Sequence, residues 1–515
     1  MIRGWRREAV GWLLAAAIAL IVAGTVASSA RSLMLFDDGD SLVVALLSRS
    51  VLEGDPLDWA MSSVLFLPEV AVFLGLQAIL PLDVDGLLAI SAVINLLALY
   101  GAIRLVAGRA RSGRTPVPWS LTAFAAFGAL AMTASSPSRD SFELASLQLT
   151  TTYYSATVVA VVLTIGLVRR MLDAAPFSVA LAVALGAVAT LSTLSNPLYA
   201  AWATVPLGVI LALLAWRSPL RSRTVGVAVI LVGGSALGML ARIPLSAWIA
   251  NTGAGYADPA RWRESLLSYG GVMVERLQTP PGLVAALIVM ALVVVAAIRT
   301  RNAGDAGERL VAASSWAVPL LVGVGAIALG THAARYLQPV AFVPVLALVA
   351  LSGPLHLRGP HLHRLRLHRL RPSSGLVHAT AAVAAVLLLV GGSLSVPRLA
   401  AAAHRTDDDL ACVTDWVDAS GRTGAGQFWT VRLPKLHLTD PSRLVQVDHQ
   451  LHGYAWLVNR TDFTADHVTF LVEDAQTVPW ELPTTAEPQR TIDCGRYTIL
   501  DFGGDASLPI GPAHS

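Results

Sequence analysis

Charge is the scarcest property of this chain. Only 14% of its 515 residues are Asp, Glu, Lys or Arg, against about a quarter in a soluble globular protein. A chain with so little charge cannot cover most of its length with a water-wetted surface, which excludes an ordinary soluble enzyme. Cysteine occurs twice, at Cys412 and Cys494, so cysteine-rich zinc frameworks are excluded. There is no P-loop, no dinucleotide fingerprint, no CxxC pair and no G-x-S-x-G elbow, which removes the usual signatures of nucleotide, zinc and hydrolase chemistry. The net charge of +3 is too small to argue for a nucleic-acid partner. Arginine greatly outnumbers lysine, a bias typical of GC-rich genomes that carries no chemistry.

What is present is apolar: 55% of residues are hydrophobic and the mean hydropathy is +0.62. A helix needs about 20 apolar residues to cross a bilayer. The clearest candidates lie at Gly11–Ala27, Leu87–Val106, Trp119–Ala134, Thr152–Val168 and Ser178–Leu194. Further ones are Leu198–Trp216, Val225–Ile249, Leu283–Ile298, Val311–Gly330, Leu337–Leu351 and Ala379–Leu394. The expectation is a polytopic α-helical membrane protein with about eleven spans. The opening MIRGWRRE resembles a signal peptide's charged start, but the run behind it is long enough to span and reads as a retained first helix. Basic clusters fall at Arg3–Arg7, Arg104–Arg114, Arg169–Arg170, Arg217–Arg223, Arg299–Arg309 and Arg358–Arg371. With these spans all six share one side, which the positive-inside rule makes cytoplasmic. His356, His361, His363 and His368 lie in the last cluster, whose Arg content reads as a basic segment on anionic lipid. Met61–Leu80 is also apolar, but it contains Pro68-Glu69, and counting it as a span would invert the charge rule. It reads as a helix in the outer interface; the rival is a true span.

On the opposite side lies a large first loop, residues 31–86. It opens with Asp37-Asp38-Gly39-Asp40-Ser41 and holds seven acidic residues from Asp37 to Glu69. Carboxylates this close repel, and one can be pushed to a raised pKa that suits a general base or a metal ligand; a solvated acidic loop is the plainer alternative. Ser138–Glu143 is a second outer acidic stretch, with Glu143 a candidate for the same cavity. Late in the chain, Thr331-His332-Ala333-Ala334-Arg335-Tyr336 puts an arginine on the side where the charge rule disfavours it. Arg335 could hold a lipid phosphate or simply reach the headgroups.

After Arg398 the composition turns normally polar. Residues 398–515 read as a small extracytoplasmic β-rich domain, with a sandwich as one candidate architecture and strands at Gln427–Leu433, Leu444–Val447, Val468–Val472 and Tyr497–Phe502. Both cysteines lie in it, and a Cys412–Cys494 disulfide in an oxidising compartment would add about 4 kcal/mol. Trp429, Tyr454 and Trp456 could stack on sugar rings or serve as core.

The order of these features resembles the GT-C superfamily of polyprenyl-phosphate-sugar-dependent membrane glycosyltransferases. The shared features are a short basic N-terminus, a first helix, an Asp-Asp outer loop, a many-span body (residues 1–397) and an R-Y-L-x-P stretch before a late helix. Asp37-Asp38-Gly39 is similar to the corresponding motif of the mycobacterial arabinosyltransferases, which also carry an outer carbohydrate-binding β-domain; Asp40-Ser41 departs from the family's usual aromatics. The resemblance implies that Asp37 or Asp38 deprotonates the acceptor hydroxyl. It also implies that Arg335 holds the donor phosphate with His332 or Tyr336 helping, and that Asp40 and Glu69 are substrate or metal candidates. A divalent cation (Mg, Mn or Ca) occurs in some members. The implied partners are a polyprenyl-phosphate-linked sugar, a cell-envelope acceptor and membrane lipid, at the inner (plasma) membrane. The rival readings are a lipid or glycan transporter, disfavoured by spans nearly free of charge, and a non-catalytic envelope assembly protein.

Overall fold

Runs of Ala, Val and Leu in an apolar solvent must satisfy their backbone N–H and C=O groups internally, and here they do so as helices. The computed structural model describes residues 2–109, 116–173, 177–216, 221–351, 374–482, 486–504 and 507–515. The helices of the body are α1 (Ile2–Ala27), α2 (Ser32–Phe36), α3 (Val43–Glu53), α4 (Leu67–Ile79), α5 (Val84–Val106), α6 (Pro116–Met132), α7 (Ser155–Asp173) and α8 (Val179–Ser195). They continue as α9 (Val205–Trp216), α10 (Arg221–Leu240), α11 (Trp262–Leu277), α12 (Pro280–Asn302), α13 (Ala306–Ala328), α14 (Pro339–Phe342), α15 (Leu346–Ala350) and α16 (Ser374–Ala403). Among the described residues, seven (α1, α5, α7, α10, α12, α13 and α16) are long and apolar enough to cross a membrane.

The other four expected spans fall on shorter apolar helices, and the reasons are local. Ser178–Leu194 and Trp119–Ala134 form α8 and α6, of 17 residues each. Leu198–Trp216 begins with a π-turn, Ala200–Thr204, before α9. Leu337–Leu351 is broken into α14 and α15, with Pro344 between them. Val225–Ile249 is cut at Leu240, because Arg242 turns inward to donate to Leu194 O and Ser63 O. Helix α4 has 13 residues, roughly 20 Å at 1.5 Å per residue, and so does not cross a ~30 Å core. Small residues set the helix contacts: a Cβ on Gly392 of α16 would come within 2.8 Å of the Ala17 backbone on α1, the close approach that membrane helices use in place of a hydrophobic drive.

The basic residues gather at one end. Arg104 at the end of α5 pairs with Glu8 of α1. Arg169 near the end of α7 donates to Val106 O. Arg299 of α12 pairs with Glu308 of α13 (3.1 Å) and donates to Ala350 O of α15. The histidines at 356, 361, 363 and 368, the whole Arg358–Arg371 cluster and parts of two others lie outside the described residues.

At the other end sits the unit after α16. It contains a sheet, as expected, but it is not a sandwich. Helix α17 (Asp408–Ser420) precedes β2 (Gly424–Gln427); β1 is Trp59–Ala60, in the first loop. Then come α18 (Phe428–His437), β3 (Leu444–Val447), β4 (His452–Tyr454), β5 (Val458–Asn459), β6 (His467–Val468) and β7 (Phe470–Glu473). The chain ends with β8 (Arg490–Cys494), β9 (Tyr497–Asp501), β10 (Leu508–Pro509) and β11 (Gly511–His514). Seven strands form one mixed sheet in the order β11-β4-β3-β2-β7-β9-β8, with β2 parallel to both β3 and β7. The parallel β2–β3 pair needs a crossover, and α18 supplies it. The expected strand Gln427–Leu433 is therefore mostly helix: buried Phe428 and Val431, then Leu433 and Leu436, recur three apart, a helical rather than an alternating spacing.

The terminal unit is stitched to the first loop. Strand β1 pairs antiparallel with β5, Arg460 pairs with Asp58 at 2.8 Å, and Arg49 of α3 donates to Leu436 O, Leu438 O and Thr439 O. Cys412 on α17 is bonded to Cys494 on β8, across a sequence separation of 82. Loop-closure entropy assigns this bond roughly 4 kcal/mol. The Cys412→Ala, Cys494→Ala double variant should lower the melting temperature of the terminal unit, and added reductant should lower the wild type to the same value and leave the variant unchanged; this is readable by near-UV circular dichroism.

Candidate functional site

The acidic turn lies between α2 and α3, and its three carboxylates point to three different places. Asp38 closes the turn, accepting from the Ser41 N–H (3.2 Å), and it also receives the Tyr153 hydroxyl (2.9 Å). Its other oxygen faces Arg139 at 3.5 Å. Asp37 turns away to pair with Arg405 (2.9 Å) in a separate cavity of about 280 Å³ with Asp85, Asp407 and His437. Asp40 makes no hydrogen bond or ion pair among the described residues, and it looks into a cavity of about 470 Å³.

Between Asp38 and Asp40, Gly39 lies under helix α18. A Cβ there would fall 3.2 Å from the Trp429 ring and 3.3 Å from Arg432 Cγ, so a side chain would make both neighbours give by a few tenths of an ångström. The guanidinium of Arg139 lies over the Trp429 ring, 3.5 Å from its centroid. Arg432 is fully buried and donates to Leu457 O.

The large cavity has two ends. Its polar end carries Asp40, Tyr153, Tyr154, Arg335 and Tyr336; its apolar end runs between Val205 and Pro206 of α9 and Leu321, Val322 and Ala326 of α13. The terminal unit closes it with Trp456 and Leu457. Arg335 donates to the Tyr154 hydroxyl at 3.3 Å and has no carboxylate within ion-pair distance among the described residues. Tyr336 stacks on Tyr154, centroids 6.5 Å apart. Of the four non-glycine residues in the left-handed region among the described residues, Phe66 (φ 50), Tyr154 (φ 68) and Leu457 (φ 52) line this cavity, and Leu451 (φ 64) does not. Each costs on the order of 1–3 kcal/mol, and such strain concentrates at functional sites.

Electrostatics separates the carboxylates further. Burial, and then the nearby Asp38 charge, push Asp40 up to about 6, against the pull of Arg335, Arg139 and Arg432. Burial also raises Asp38, offset by the Tyr153 hydrogen bond and Arg139, and raises Asp37, offset by Arg405. No protein-family model matches the chain, and no characterised protein matches it. The site is therefore read from its own geometry.

The remaining candidates divide. Trp456 lines the cavity, and Trp429 reaches Asp38 through Arg139. Tyr454 packs near His514 (5.7 Å) and does not line the cavity. His332 is exposed and outside it. Glu143 is buried in an ion pair with Arg276 (2.8 Å) and accepts from the Ser135 and Ser136 N–H groups, so it holds a loop. Glu69 belongs to a different cavity. No group of three or more His, Cys, Asp or Glu that could hold a metal ion occurs among the described residues. Sequence reasoning passed over Tyr153 and Tyr154, although a Thr-Thr-Tyr-Tyr run directly before an apolar helix was a usable signal. Arg139 sat inside Ser138–Glu143, a stretch read for its acidic residues, and nothing in the sequence pointed to Arg432.

A carboxylate whose folded pKa lies above its ordinary 3.8 contributes stability that is fully present below that value and is lost as pH rises through about 6. Asp40→Asn should therefore melt at a higher temperature than wild type well above pH 6, and the difference should close on acidification towards the ordinary carboxylate value. A variant no more stable at neutral pH would contradict the burial of a charge at Asp40.

Proposed function

We propose that this chain is a GT-C-like membrane glycosyltransferase, which moves a sugar from a polyprenyl-phosphate donor onto a cell-envelope acceptor. The observation that carries the reading is one cavity holding an arginine with no ion pair among the described residues, a carboxylate and an apolar slot between two helices. A polyprenyl phosphate has the matching parts: an anionic head for Arg335 and a hydrocarbon chain for the α9–α13 slot. An arginine fork binds phosphate oxygens with directional, charge-assisted hydrogen bonds.

In this reading Asp40, rather than Asp37, takes the proton from the acceptor hydroxyl. The acceptor oxygen bonds to the anomeric carbon as the bond from that carbon to the phosphate oxygen breaks, with inversion. The negative charge that develops on the departing polyprenyl phosphate is held by Arg335. A base with a pKa near the working pH is the efficient choice for such a step. Asp38, fixed by Tyr153 and Arg139, holds the turn and keeps Asp40 high by like charge. In this reading the arginine-bearing end of the bundle faces the cytoplasm and the acidic turn and terminal unit face outward, an orientation that the positive-inside rule supports.

The test is transfer of radiolabelled sugar from polyprenyl-phosphate donors in membranes. Asp40→Asn and Arg335→Ala should each lose about 10²-fold or more, the scale of a positioned base or a transition-state charge partner. Asp37→Asn should retain most activity, and the wild-type rate should fall as pH drops below about 6. Wild-type inactivity across a broad donor panel, with all the variants complementing a deletion strain, would favour an assembly role instead.

A further inference from the structure

A second cavity, of about 290 Å³, lies between α4, α5, α7 and α8. The Thr150–Tyr154 strip separates it from the acidic turn: Thr151 lines it and donates to Ser41 O at 2.6 Å, while Tyr153 and Tyr154 line the large cavity. Its wall is mostly apolar, with Ile94 of α5 and Ala160 of α7 facing inward. Its mouth is flanked by Val72 and Leu191, which are 45% and 59% exposed on the outside of the helical body. An opening between apolar surface residues at this position gives onto lipid tails rather than water.

The inner end is polar and has a definite sign. Glu69 is only 9% exposed. Its one hydrogen-bond partner besides its own backbone region is the Ala156 N–H at the start of α7, at 3.2 Å, one of the orphan donors of a helix N-terminus. The Ser91 hydroxyl is 4% exposed, lines the same cavity and has no hydrogen-bond partner among the described residues. Buried polar groups are normally satisfied, and an ionisable group at membrane depth is retained for a use. Among the described residues no Arg, Lys or His lines this cavity, whereas the large cavity has Arg335. A phosphate would lie beside a buried carboxylate with nothing to offset the repulsion. A head that donates hydrogen bonds and carries no negative charge would satisfy Glu69 and Ser91 together.

We infer that the Glu69 cavity is a lateral binding site for an uncharged lipid alcohol, its hydroxyl head on Glu69 and Ser91 and its chain leaving between Val72 and Leu191 into the bilayer. The volume is at the low end for ligand cavities, so it holds the head and first carbons only. This site does not depend on the transferase reading, and its test requires no activity.

Full-length protein in nanodiscs is irradiated with diazirine-bearing hexadecanol or with its phosphate monoester. The alcohol should label peptides from α4, α5 and α8 several-fold more than the phosphate does, and unlabelled hexadecanol should suppress that labelling. Ile94→Trp and, separately, Ala160→Phe fill the cavity and should lower the labelling several-fold, with labelling of the outward face of α12 unchanged. Glu69→Gln keeps an acceptor for Ala156 but removes the charge, and should narrow the preference for alcohol over phosphate. Equal labelling by the two probes in wild type, or labelling untouched by both filling variants, overturns the inference.

Discussion

The contact on which the rest of the candidate site depends is the seating of α18 on Gly39. Three carboxylates within four residues would repel into an extended, solvated loop if nothing opposed them. Here the Trp429 ring and the Arg432 stem press on a glycine that leaves no Cβ in the way, and the carboxylates splay around that point. One is neutralised by Arg405, one is tied to Tyr153 and Arg139, and the third is left facing a cavity. The same helix fixes the far wall, since Arg432 holds the backbone of Leu457, a strained residue that lines that cavity. The terminal unit is thus a structural part of the cavity and not a tethered appendage.

The two ends of the helical body use charge in opposite ways. At the arginine-rich end, buried Arg169 and Arg299 and half-buried Arg104 sit against carboxylates and helix-terminal carbonyls, where cations complement the partial negative charge of a helix C-terminus. At the other end, burial and then the neighbouring Asp38 charge raise Asp40, against the pull of Arg335, Arg139 and Arg432. Two cavities flank the strip of residues 150–154, one lined by Arg335 with Asp40 and one by Glu69. On the inference drawn above, that difference sorts ligands by head-group charge.

Much of the body was legible because bilayer-length apolar runs have one structural solution. Seven of the expected spans fall on long apolar helices. The misplaced boundaries trace to polar residues that find tertiary partners: Arg242 leaves α10 for backbone carbonyls, and Pro344 separates α14 from α15. The terminal unit was read as β-rich because its short apolar runs alternate weakly, and a helix of ten residues such as α18 is hard to tell from a strand by period alone. In the candidate site, Asp38, Asp40, Arg335, Tyr336 and Trp456 were visible as residue types out of place in an apolar chain. Which carboxylate faces the cavity was not, because side-chain direction in a four-residue turn is set by what packs on it. Arg139 and Arg432 owe their relevance wholly to tertiary contact.

The central claim is that Arg335 and the α9–α13 slot together hold a lipid phosphate beside Asp40. It is tested most directly by an experimental density map of the full-length protein in nanodiscs with a polyprenyl monophosphate added. The account predicts phosphate density within hydrogen-bonding distance of the Arg335 guanidinium, hydrocarbon density running between Val205 and Val322, and the Asp40 carboxylate facing the head. Phosphate density at the Asp37–Arg405 cavity, or an Arg335 side chain turned out of an empty cavity at saturating lipid, would contradict it.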